Sequence, residues 1–108
     1  MTAVQQDNAG ASVRLDVWLW AARFFKTRAL AKQAVETGKV DIGGQRAKPA
    51  RGVRIGDLLQ VCRGEERWQI RVLALSEQRG PAPQAQLLYA EEEASRQARE
   101  LARSQRLA

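Results

Sequence analysis

The residues best suited to chemistry lie in RFFKTRALAKQAVETGK, residues 23–39, and the chemistry they suit is anion binding. Arg28 and Lys32 stand four residues apart, one helical turn, where like charges cost an isolated helix about 0.2–0.5 kcal/mol. Such a pair is either a solvated face or a surface awaiting an anion. Its surroundings favour the anion: Lys26 precedes it, Lys39 follows, and Arg46, Lys48 and Arg51 come shortly after. Thr27 is placed to cap the helix, so unpaired N–H groups and the positive end of the helix dipole would sit beside Arg28. A nucleic-acid phosphate backbone is the ligand that fits.

Catalytic chemistry has little to work with. The chain has no histidine and a single cysteine, Cys62, which removes the usual zinc sites and the Ser-His and Cys-His nucleophile pairs. Glu91, Glu92 and Glu93 are consecutive, and on a helix their side chains diverge rather than converge on one ion. No phosphate-loop or dinucleotide glycine fingerprint occurs. The expectation is a non-enzyme with no catalytic residues, no metal and no cofactor. Trp18, Trp20, Phe24 and Phe25 have the spacing of a helix core, with Trp20 and Phe25 the candidates to stack on a base. Cys62 reads as a small core residue.

The elements that must position these groups follow from periodicity. Leu15, Trp18, Leu19 and Ala22 mark the buried face of a first helix, with Val17, Trp20 and Phe24 a second apolar row. Leu30, Ala31, Ala34 and Val35 mark a second helix that Gly38 ends. Val40 and Ile42 alternate into a hairpin turned by Gly43 and Gly44. After Val53 and Ile55, a turn at Gly56 and Asp57 leads to the strand LLQVC, and RGEER reverses the chain into WQIRVLAL. SEQRGPAPQAQLLY reads as a loop returning to an apolar patch at Leu87–Tyr89. The predicted fold class is α+β: two N-terminal helices on a small, mostly antiparallel sheet, then a C-terminal helix over 90–108. That helix has a thin apolar stripe (Ala94, Ala98, Leu101, Ala102), so its docking should be weak. Its Arg96, Arg99, Arg103 and Arg106 read as a solvated face with internal Glu92–Arg96 and Glu100–Arg103 pairs.

Charge sharpens the picture. Of 108 residues, 18 are Lys or Arg and 12 Asp or Glu, net +6. Residues 13–54 alone carry +7 and residues 55–108 are neutral, so the excess lies where the anion site was placed. A basic balance of this kind indicates a polyanionic partner. Residues 1–12 read as a disordered tail without signal or transit character, residues 13–89 as one domain with its core motif at 14–61. The longest apolar run is too short to span a bilayer. The expectation is a cytoplasmic monomer that uses neither a membrane nor a small-molecule substrate.

RLD at 14–16, KTRALAKQAVETGKV at 26–40, the GGQ tip and the GD turn resemble the RNA-binding domain named after small-subunit ribosomal protein S-four. WLWAARFFKTRA at 18–29 and EQRGPAPQAQLLY at 77–89 extend the resemblance to the bacterial heat shock protein 15 family, over roughly residues 14–93. The resemblance implies binding to rRNA of free large ribosomal subunits carrying peptidyl-tRNA, in their rescue or recycling. It implies RNA contacts at Arg14, Arg23, Lys26, Thr27, Arg28, Lys32, Lys39, Gln45, Lys48 and Arg51, with Asp16 structural. The residues alone leave two other readings open: a generic structured-RNA or DNA-binding module, and an RNA-targeting accessory to an RNA-modifying enzyme.

Overall fold

In a computed structural model, residues 11–107 are described; residues 1–10, most of the expected tail, and residue 108 lie outside the described residues. The elements run β1 (Val13–Arg14), α1 (Leu15–Ala21), α2 (Arg28–Glu36), β2 (Val40–Ile42), β3 (Gln45–Arg46), β4 (Gly52–Val53), β5 (Leu58–Arg63), β6 (Glu66–Val72), α3 (Ala82–Ala85), β7 (Tyr89–Glu91) and α4 (Glu93–Leu107). A five-stranded sheet has the order β3-β2-β5-β6-β7, and every ladder in it is antiparallel. A separate two-stranded ladder joins β1 to β4. The α+β arrangement of two N-terminal helices on an antiparallel sheet is the one the sequence predicts.

Local sequence explains the reversals. Gly43 and Gly44, at φ 61° and 81°, form the two-residue turn between β2 and β3, a conformation that both glycines reach without a Cβ clash. The Asp57 carboxylate accepts the Arg54 N–H at 2.9 Å and closes the next turn.

The core lies between α1, α2 and the sheet. Leu15, Trp18, Leu19, Val35, Val40, Val53, Leu59, Val61, Ile70 and Val72 are essentially inaccessible, each aliphatic one contributing roughly 1.5–3 kcal/mol through removal from water. Trp18 also donates from Nε1 to the Ala74 carbonyl at 3.0 Å, which ties α1 to the end of β6. Phe24 is buried with it, whereas Trp20 and Phe25 are half-buried at the margin.

One ladder was not anticipated, and four expectations are corrected. Val13–Arg14, at the domain start, pairs with Gly52–Val53, a ladder too short for periodicity to reveal. Residues 77–89 contain the short helix α3, and Tyr89–Glu91 is the fifth strand, so the C-terminal helix begins at Glu93 rather than 90. Of the expected patch, Leu88 and Tyr89 pack against the core, whereas Leu87 is 71% exposed. Cys62 is only half-buried, because strand alternation turns it away from the face on which Val61 is buried.

The C-terminal helix is also held differently from the prediction. Its only buried residue is Ser95, whose Oγ accepts from the Gln69 N–H at 3.0 Å and donates to Glu91 at 2.6 Å. Arg99 bonds Glu91 through both Nε and Nη2, at 3.0 and 2.8 Å, and lies 3.6 Å over the Trp68 ring. Arg103 reaches Glu66 at 2.8 Å and Arg106 reaches Glu65 at 3.4 Å. Neither expected internal pair is among the ion pairs of the described residues; Arg96 instead pairs with Glu93 and with Glu100. The expected stripe, Ala94, Ala98, Leu101 and Ala102, is exposed.

Candidate nucleic-acid interface

The basic corner is built on the start of α1. The backbone N–H groups of Leu15 and Asp16, which have no partner within the helix, donate to the carbonyls of Arg51 (2.8 Å) and Pro49 (3.2 Å). The turn 48–51, closed by the Arg51 N–H on the Lys48 carbonyl at 3.0 Å, is thereby fixed against α1. Lys48 and Arg51 are thus brought beside Arg14, although more than thirty residues separate them in sequence.

Asp16 organises this corner. The residue is 5% exposed, and its carboxylate accepts two bonds from Arg14, at 3.1 and 2.9 Å. Burial pushes the carboxyl pKa up, but the bonds and charge of Arg14, the Val17 N–H and the more distant Arg28 charge outweigh it, leaving the group below its ordinary range. Asp16 therefore stays ionised and neutralises part of Arg14, in keeping with a structural role. Arg28 also lies 5.8 Å from the Trp20 ring centroid. Trp20 lies near the end of α1, so this contact ties the start of α2 to the last turn of α1.

Along α2 the division of faces is clean. Ala31, Ala34 and Val35 are buried, and Arg28 and Lys32 are exposed. Thr27 caps the helix by accepting the Leu30 N–H on Oγ1 at 3.0 Å. Lys39 sits where the chain leaves α2 for the sheet: its N–H donates to the Ala34 carbonyl at 2.9 Å and its carbonyl accepts from Cys62 at 2.8 Å. Gln45 is exposed directly after the glycine turn. Among the described residues, none of Lys26, Arg28, Lys32, Lys39, Lys48 and Arg51 enters an ion pair within 4.0 Å. These cations face solvent on fixed backbone, an arrangement suited to a phosphate chain.

Two arginines behave otherwise. Arg46 donates to the Glu36 carbonyl at 2.7 Å and packs over Gly38, tying the hairpin to the end of α2. Arg23 lies at the opposite end of α1 from Arg14, so the structure does not bring it into the corner. Its φ is 67°, and its guanidinium donates to the Gly80 carbonyl at 2.8 Å. Beside it stands Arg63, forty residues away in sequence, which donates to the Phe24 carbonyl at 3.1 Å. Nothing in the local pattern around Arg63, on a hairpin strand with acids close by, marked it as a candidate.

Among the described residues there is no group of three His, Cys, Asp or Glu placed to hold a metal ion, and no helix long and apolar enough to cross a membrane. Comparisons place this geometry among known proteins. Residues 13–59 match the S4 domain family. The chain is 58% identical over 83 residues to a heat shock protein 15 homologue of Aeromonas salmonicida, covering 77% of this chain and 63% of that protein, so it spans less than two thirds of that relative's length. A trimeric structure of Vibrio cholerae heat shock protein 15 superposes with a TM-score of 0.85 at 48% identity, covering 89% of this chain and 97% of that one. A more distant relative, the RQC P-site tRNA stabilizing factor of Bacillus subtilis, is 35% identical over 65 residues, 60% of this chain and 76% of that protein.

Proposed function

This chain belongs to the heat shock protein 15 family, and from that premise we propose that it binds rRNA of free large ribosomal subunits carrying peptidyl-tRNA and assists their rescue or recycling. The observation that carries the RNA-binding part is the corner itself. Arg28, Lys32 and Lys39 are exposed, lack carboxylate partners among the described residues, and stand on backbone fixed by hydrogen bonds. Arg14, Lys26, Thr27, Gln45, Lys48 and Arg51 extend this surface as phosphate and sugar contacts, and Arg23 contributes from the far end of α1. The ribosomal part draws on the P-site tRNA named for the Bacillus relative. The protein would act in the cytoplasm, without catalysis, and as a monomer; light scattering at three times its 12.0 kDa mass would instead align it with the trimeric Vibrio neighbour.

Binding of this kind gains affinity from counterion release and discrimination from A-form shape. About five phosphate contacts give a slope of log K against log salt on the order of −3.5 to −4.5. The deciding experiment is equilibrium binding to purified large subunits, empty and loaded with peptidyl-tRNA, with duplex RNA and duplex DNA as competitors. The proposal expects preference for loaded subunits that resists both competitors. Equal, competitor-sensitive binding to every nucleic acid would reduce the protein to a generic RNA- or DNA-binding module.

A further inference from the structure

The position of Arg23 is chemically unusual. It follows α1 in the left-handed conformation, with its N–H on the Trp20 carbonyl (3.1 Å) and the Phe24 N–H on the Leu19 carbonyl (3.0 Å). This is a helix-ending motif in which glycine is the ordinary residue. It is the only non-glycine at positive φ among the described residues, and a left-handed Cβ costs roughly 1–2 kcal/mol. A residue retained against that cost owes its place to its side chain, and here the side chain borders a cleft.

The cleft has a volume of about 230 Å³ and lies between the α1–α2 connection, the β5–β6 hairpin and α3, with Arg23, Arg63, Trp68, Ala82, Gln86 and Tyr89 in its lining. Clefts for drug-sized ligands run about 300–1,000 Å³, so this one suits a single ring system. Both guanidiniums bond one backbone carbonyl each, which orients them while leaving other N–H groups unassigned. No carboxylate lines the cleft. The nearby Glu91, whose charge is felt at Tyr89, is already held by Arg99. The Trp68 Nε1–H is buried without a partner among the described residues, and Arg63 lies 5.4 Å from the Trp68 ring centroid.

We propose that this cleft is a second RNA-binding site that takes one unpaired nucleotide, with its phosphate between Arg23 and Arg63 and its base between Tyr89 and α3. Two guanidiniums bordering one cleft beside an aromatic wall provide phosphate and base recognition together. The site rests on the RNA-binding reading above and adds a preference for a junction between paired and unpaired RNA. The seven residues of α1 separate it from the Arg14 end of the basic corner by roughly 10 Å at 1.5 Å per residue, a distance that about three nucleotides cover at 3.4 Å each along a strand.

Arg23→Gly and Arg63→Gln test it, beside Arg28→Ala/Lys32→Ala as the corner variant, by binding of the full chain to a blunt RNA duplex and to the same duplex with a short single-stranded extension. Wild type should favour the extended RNA by about tenfold, as one charge-assisted contact would provide. Arg63→Gln should lose that preference while binding the blunt duplex unchanged. Arg23→Gly should lose it as well, with a smaller loss on the blunt duplex from the contact assigned to it above, and should melt no lower than wild type, because glycine relieves the left-handed strain; the corner variant should lose affinity for both RNAs. Equal wild-type binding to the two RNAs, or a preference that survives both cleft substitutions, overturns the second site and leaves the corner standing. Failure of wild type to bind either RNA overturns both readings.

Discussion

Helices α2 and α4 carry similar stripes of positive charge, yet the fold uses them in opposite ways. In α2 the docking face is apolar, Ala31, Ala34 and Val35, and Arg28 and Lys32 point into water without carboxylate partners among the described residues. In α4 the arginines are the docking face: Arg99, Arg103 and Arg106 reach Glu91, Glu66 and Glu65, and no apolar side chain of the helix is buried. A gap of about 250 Å³ between Ala98, Ala102 and the β5–β6 hairpin shows how little apolar packing holds α4. A basic stripe is a binding surface only where something other than its own charge fastens the helix.

Ranked by effect on the fold, substitutions can break this contrast. Val35→Asp places an unpaired carboxylate in the α2 seam, where Val35 has no accessible surface. A cost of several kcal/mol should abolish the cooperative thermal transition. Leu101→Asp on the exposed side of α4 should shift stability by no more than about 0.5 kcal/mol. A Val35→Asp protein that melts cooperatively would mean that the α2 seam does not carry the core.

Arg99→Ala should act on α4 alone. It removes the partner of Glu91, leaves Glu66 with Arg103, and uncovers Trp68, costing about 1.5–3 kcal/mol as lost charged hydrogen bonds. Amide exchange should then lose protection across 93–107 while β5 and β6 keep theirs. Unchanged protection in α4 would show that the ion pairs do not hold it.

Acid should sharpen the same contrast. Bonding to Arg103 lowers the Glu66 carboxyl pKa; burial pushes Glu91 up, but Arg99 and Ser95 bring it below its ordinary value of 4.5. A carboxyl depressed by folding binds fewer protons in the folded state, so its stabilisation is complete above the ordinary value and fades as pH falls through the depressed one. Helicity from 93–107 should therefore decline below about pH 4.5, and more readily in high salt, while the apolar contacts of α2 do not titrate. Circular dichroism with site-resolved exchange would register any simultaneous loss of both helices, the outcome that contradicts this.

The smallest effect on the fold should accompany the largest effect on RNA. Arg28→Ala, Lys32→Ala and Lys39→Ala together should leave stability within about 0.5 kcal/mol of wild type, and relief of like-charge repulsion could raise it slightly. The triple variant should lose most RNA affinity and flatten the salt slope by about 2 to 3. Full RNA affinity in the folded triple variant would place the interface elsewhere.

Much of this was legible in the chain because it depends on near neighbours. The Thr27 cap, the Gly43–Gly44 turn and the apolar faces of α1 and α2 are set by steric and hydrogen-bonding preferences over four or five residues. The charge imbalance needed only counting. Where the reading failed, distant partners decided. Tyr89–Glu91 has no strand pattern of its own and extends the sheet because β6 offers an edge. Arg103 was assigned Glu100 of its own helix, whereas Arg99, Arg103 and Arg106 reach Glu91, Glu66 and Glu65, outside it, and only Arg96 keeps helix partners, Glu93 and Glu100.

The amino-acid order by itself determined which residues form the first two helices and the hairpins, and that a strongly basic face would lie within residues 13–54. Only the tertiary structure decided which cations remain available. The backbone bonds from α1 to Pro49 and Arg51 gather Arg14, Lys48 and Arg51 into one corner, and strand pairing delivers the carboxylates that occupy α4. An ion pair forms at distances of a few ångströms, and what lies that close is a property of chain topology, which no spacing along the sequence expresses.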